Sequence, residues 1–110
     1  MNITDIYGNK CPTLFTISLI SGKWRLPILW KLSDNKTLRF NELKRQVTGI
    51  TNMMLTECLK DFETHNIVQR IQYNEIPPRV EYSLTANGKE LVSILQDLHK
   101  WGQVQMDNDR

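Results

Sequence analysis

The sequence predicts an α+β domain, mainly helical with one small antiparallel β-hairpin, laid out as a winged helix-turn-helix. Three observations lead there. Two short amphipathic helices, around Glu42–Val47 and Thr51–His65, are separated only by a sharp turn at Gly49. The segment "NEIPPRVEYSLT", from Asn74 to Thr85, sets two prolines ahead of an alternating strand, and "IVQRIQY" before it supplies the matching strand. Thr85 then opens a last helix with apolar residues at Leu91, Ile94, Leu95, Leu98 and Trp101. Two helices across a short Gly-containing turn, followed by a hairpin, is the order of a winged helix-turn-helix.

The elements follow in sequence. "CPTLFTISLI" fits a short apolar helix with Pro12 in its first turn, where a missing N–H costs nothing. Ser21 and Gly22 end it. A second helix is expected from about Lys23 to Leu32, with Pro27 near its first turn. "TLRF" reads as a short extended piece, and Asn41 as the N-cap of the next helix. Thr51 or Asn52 caps the following helix, which buries Met54, Leu55, Cys58, Leu59 and Phe62 as one stripe. Asn66 can take the left-handed conformation that closes a helix. In the hairpin, Val80, Tyr82 and Leu84 oppose Arg79, Glu81 and Ser83. The tail "MDNDR" is polar and is expected to fray.

Composition narrows the function classes. The chain has 110 residues, enough for a single domain over 1–110 with a small core. The formal net charge is only +2, so any basic surface must be local. No apolar run reaches the length of a membrane span, and the N-terminus lacks a signal-peptide pattern, so a cytoplasmic protein is expected. Cys11 and Cys58 are then expected as thiols rather than as a disulfide. The sequence holds no Cys/His cluster with metal-ligand spacing, no Gly-rich phosphate loop and no nucleophile elbow. No enzyme activity, metal or cofactor is expected. His65 and His99 have no catalytic partner near them in sequence and read as structural or solvated.

The chemistry expected of this layout is recognition of double-stranded DNA. The helix from Thr51 to His65, roughly 22 Å long, turns Asn52, Met53, Thr56, Glu57, Lys60 and Asp61 away from its apolar stripe. Asn can pair with adenine, and Thr can bond a base edge or touch a thymine methyl. Between Lys36 and Lys60 stand five basic residues, Lys36, Arg39, Lys44, Arg45 and Lys60, against the acids Glu42 and Glu57. That local excess suits phosphate contacts. Candidate DNA-contacting residues are therefore Arg39, Asn41, Lys44, Thr51, Asn52, Met53, Thr56 and Lys60, together with Arg79 at the wing. Arg79 could instead pair with Glu75 or Glu81, and the prolines could serve only to end strand pairing.

"CPTLFTISLISGKWRLPILWKL", "RFNELKRQVTGITNMMLTECLKDFE" and "IPPRVEYSLTANGKELVSILQDLHKWG" resemble the HxlR-type family of bacterial winged-helix transcriptional regulators over Cys11–Gly102. The resemblance implies a homodimer on operator DNA, reading it with the helix near Thr51 and the wing near Arg79. It also implies a dimer interface built from the first and last helices, with Leu14, Ile17, Leu91, Ile94, Leu95, Leu98 and Trp101 as its candidates. The resemblance also implies that Cys11 is a redox-sensing candidate, since some members of the family sense oxidants or electrophiles through the cysteine before this proline. A thiol at a helix N-terminus beside Lys10 fits that role; a cysteine packed in the interface is the other reading. A small-molecule effector is compatible with the same fold. Met53 and Cys58 depart from the polar residues common in relatives, so the base sequence read by this chain does not transfer from them. The alternative function is a winged-helix interaction module without DNA binding, to which Met53 and Glu57 lend their support.

Overall fold

The computed structural model describes residues 11–109. Five helices and one hairpin follow in order: α1 (Pro12–Ile20), α2 (Arg25–Asp34), α3 (Phe40–Gln46), α4 (Asn52–Thr64), β1 (Val68–Tyr73), β2 (Arg79–Leu84) and α5 (Ala86–Asn108). This is the α+β order expected from the sequence. The two strands pair antiparallel from Val68–Leu84 at the base to Tyr73–Arg79 near the tip. Leu38 adds a single bridge to Tyr82, with backbone bonds of 2.9 and 2.8 Å. The "TLRF" segment thus contributes one β-bridge rather than a strand.

That bridge also decides where α3 begins. Leu38 is held extended, and Arg39 keeps an extended backbone (φ −79°, ψ 160°), so the helix starts at once with Phe40. Arg39, not Asn41, is therefore the N-cap residue. The backbone N–H of Arg39 is satisfied by Glu42 Oε1 at 2.8 Å, one half of a capping box. Asn41 sits exposed inside the first turn instead. α2 starts two residues later than expected because Gly22 turns the chain at φ +100° and residues 22–24 bend before the helix begins.

The core lies between the helices and the inner face of the hairpin. Ile28, Leu29 and Leu32 of α2 meet Leu43 of α3 and the stripe Leu55, Cys58, Leu59 and Phe62 of α4. Ile67, Val68, Tyr82 and Leu84 close it from the sheet, and Val92 and Leu95 from α5. Each fully buried Leu, Ile or Phe contributes about 1.5–3 kcal/mol of hydrophobic stabilisation. α5 can approach the base of the hairpin because Gly88 lacks a side chain: a Cβ there would lie 2.1 Å from the carbonyl oxygen of Ile67. α5 runs on to Asn108, so most of the tail expected to fray is helical.

Candidate nucleic-acid interface

α3 and α4 are joined by residues 47–51, and buried side chains fix the angle of that turn. Val47 and Ile50 are both in the core, and the Ile50 N–H donates to the Val47 carbonyl at 3.2 Å. Gly49 between them has φ +92°, a conformation that a residue with a Cβ rarely takes. Thr51 then caps α4, its Oγ1 accepting the Met54 N–H at 3.1 Å. The apolar stripe of α4 points inward, and Thr51, Asn52, Met53 and Lys60 are left exposed, with Thr56 half-buried beside them. Met53 is 71% exposed, the largest apolar surface on this face.

One residue expected on that face is elsewhere. Asp61 turns toward α2, where its Oδ2 is ion-paired with Arg25 Nη1. The same Arg25 nitrogen donates to the Leu19 carbonyl at the end of α1 at 3.2 Å, and the guanidinium lies over the Phe62 ring. His65 closes the group, with Nδ1 3.3 Å from Asp61 Oδ1 and its ring edge-on to Phe15. Arg25 thus ties α2 to α1 and α4, and the Asp61 carboxylate is paired toward α2 rather than presented on the outward face of α4. Arg25 and Asp61 lie 36 positions apart, and no local periodicity signals the pair.

The wing presents its arginine already engaged. Arg79 Nη2 lies 3.2 Å from Glu75 Oε1, its Nε 3.9 Å from Glu81 Oε2, and its guanidinium stacks 4.2 Å from the Tyr73 ring centroid. Both acids considered as partners for Arg79 are thus beside it. Arg79 Nε is buried and has no hydrogen-bond acceptor among the described residues. Between the tip end of the wing and the start of α3 lies a notch of about 730 Å3, lined by Arg39, Arg45, Pro78, Arg79 and Glu81 among others. Arg45, counted in the sequence only as local charge, is placed here with Arg39. Arg39 and Arg45 are exposed and Lys44 is half-buried.

The remaining candidates divide. Of the residues expected at a dimer interface, Ile17, Ile94, Leu98 and Trp101 are exposed, and Leu14 and Leu91 are half-buried. Leu95 is in the core of the protomer itself and backs that surface from within. Val104 and Met106, unremarked in the sequence, extend the apolar surface along α5. Cys11 is the N-cap residue of α1 and is buried; neither it nor Cys58 is in a disulfide. Burial pushes the Cys58 thiol pKa up, and the nearby Arg25 only partly offsets this. No group of His, Cys, Asp and Glu among the described residues is placed to hold a metal ion. Among the same residues, no helix is long and apolar enough to cross a membrane.

A family model for the HxlR-like helix-turn-helix matches residues 19–110. The chain belongs to the HxlR-like helix-turn-helix family. The HTH-type transcriptional regulator BH0655 of Halalkalibacterium halodurans, itself uncharacterized, is 42% identical over 97 residues, covering 88% of this chain and 86% of its own. Among solved structures, the redox regulator HypR in its reduced form superposes with a TM-score of 0.79 at 39% identity, covering 88% of this chain and 95% of that one. YodB from Bacillus subtilis, solved after diamide treatment, superposes with a TM-score of 0.75 at 33% identity, covering 84% of this chain and 92% of that one. BH0655 and YodB are named as transcriptional regulators and HypR as a redox regulator.

Proposed function

We propose that the protein is a cytoplasmic, sequence-specific DNA-binding regulator that occupies operator DNA as a homodimer. The observation that carries this reading is the outward face of α4. Asn52, Met53 and Thr56 stand there on a capped helix, at the end from which such helices reach base edges. Arg39, Lys44 and Lys60 flank it with positive charge suited to phosphates, and Arg79 approaches the backbone or a narrow minor groove from the wing. The apolar stripe Ile94–Leu98–Trp101 on α5, with Ile17 on α1, supports pairing of two copies, since a surface of this kind is seldom left in water. Fluorescence anisotropy with DNA from upstream of its own gene tests the reading. Binding should weaken steeply with salt, because each phosphate contact releases a counterion. Absence of binding to any genomic fragment at low salt would sink it.

The kinship to HypR and YodB, both studied in oxidised or diamide-treated states, supports an oxidant response in this chain. Cys11 is the residue proposed for it. Cys58 is held as a protonated thiol by burial and suits packing instead. Operator affinity should change on diamide treatment in the wild type and in Cys58→Ser, but not in Cys11→Ser. An equal response in all three proteins would remove Cys11 as the sensor.

A further inference from the structure

The hairpin turns one face to the core and the other to a cleft. Its register pairs Gln69 with Ser83 and Ile71 with Glu81 on the outer face. There the end of α2, the sheet and the first half of α5 border a solvent-open cleft of about 550 Å3. Leu32, Ile71, Leu84 and Val92 form its apolar wall. Two basic residues, Lys36 and Lys89, line it together with Ser33, Ser83 and Ser93, and their flexible side chains are long enough to turn an ammonium group toward it. Asp34 is the single acid among the lining residues.

Ser83 is the unusual member. It is 8% exposed and is the one buried polar residue among the described residues. Its Oγ accepts a hydrogen bond from Gln69 Nε2 at 3.0 Å. The hydroxyl proton remains, and no described residue accepts it. The hydroxyl lines the cleft, so a ligand there can take the proton that the protein leaves available.

We propose that this cleft is a binding site for a small organic carboxylate. An ionised carboxylate only accepts hydrogen bonds, and ammonium groups and the Ser83 hydroxyl proton only need to donate. The apolar wall would cover the organic body of the ligand, and the volume falls in the range of small-molecule sites. Asp34 at the same site repels additional negative charge, which favours a monocarboxylate over a polyanion. Occupancy would also bear on regulation, a consequence that rests on the DNA-binding reading. The outer hairpin face runs from Ser83 and Gln69 through Ile71 and Glu81 to Tyr73 and Arg79, so a ligand at one end touches the face that carries the wing arginine. The opposite wall is α5, whose other flank carries Ile94, Leu98 and Trp101.

The test needs no DNA, so its outcome is independent of operator binding. The DNA-free full chain is titrated with sodium benzoate and sodium butyrate, with benzamide and butyramide as neutral counterparts, and followed by amide NMR shifts. Saturable shifts are expected at Ser83, Lys89 and Ser93, with the neutral amides binding at least about tenfold more weakly. The Lys36→Met/Lys89→Met variant should lose the carboxylate response, and Ser83→Ala should weaken it, with spectra otherwise dispersed as in the wild type. No saturable shift with either carboxylate, equal binding of the amides, or an undiminished response in the lysine variant would overturn the proposal.

Discussion

α4 and α5 are built alike and end in different surroundings. Each opens with a threonine whose hydroxyl accepts an N–H three residues on: Thr51 from Met54 at 3.1 Å, Thr85 from Gly88 at 2.9 Å. Each buries one stripe, Leu55, Cys58, Leu59 and Phe62 on α4, and Gly88, Val92 and Leu95 on α5. The outward faces part company. On α4 that face is Asn52, Glu57 and Lys60 with a single large apolar group, Met53. On α5 it is Ile94, Leu98, Trp101 and Val104, each more than half exposed. The inward faces fix the fold; the outward faces carry the roles proposed for each helix. A polar face with side chains of varied hydrogen-bonding capacity suits base edges, whereas an apolar face suits another apolar face.

Four substitutions break or sharpen this contrast. The largest effect is expected from Gly88→Ala, which attacks the inward side of α5. The new Cβ would fall 2.1 Å from a backbone oxygen of Ile67 that cannot move aside cheaply. A loss of about 3 kcal/mol or more, and a fall in Tm above about 12 °C, is expected by calorimetry. Leu98→Asp attacks the outward side of the same helix. Sedimentation should show the dissociation constant of the proposed dimer raised at least about 100-fold, since apolar burial would be lost in both copies. The monomer's thermal stability should barely change, because Leu98 is exposed there.

On α4, Asn52→Ala should cost about 1–3 kcal/mol of discrimination at one base position, read by competition between operator variants. The smallest effect belongs to the wing. Glu75→Gln removes the acid 3.2 Å from Arg79, leaving Glu81 and the Tyr73 ring beside the guanidinium, and reduces repulsion of phosphate. Operator affinity should rise by about two- to fivefold, within the modest worth of an exposed ion pair. An unchanged affinity would mean that Arg79 does not reach DNA.

Much of this contrast was legible in the sequence because it rests on local rules. The caps Thr51 and Thr85, the turn at Gly49, the left-handed Asn66 at φ 56° and the inward stripe of α4 all follow from residue type and spacing. What escaped depends on neighbours distant in the chain. Asp61 has the helical position of an outward residue, yet Arg25 draws it to α2. Asn41 has a good capping side chain, yet the Leu38–Tyr82 bridge moves the start of α3 ahead of it. Leu95 shares the apolar pattern of α5 with Leu98, and only the packing against the core separates their fates. The cleft beside Ser83 is assembled from α2, the hairpin and α5, and no single segment announces it.

The central claim is that the outward face of α4 reads base sequence. Anisotropy competition at fixed salt, using the operator recovered by genomic footprinting and a shuffled duplex of equal composition, tests it most directly. The wild type should prefer the operator by at least about 1,000-fold. Asn52→Ala should narrow that preference by about tenfold or more while leaving the dependence on salt unchanged. Equal affinity for operator and shuffled DNA, or an Asn52→Ala protein with undiminished preference, would contradict the account.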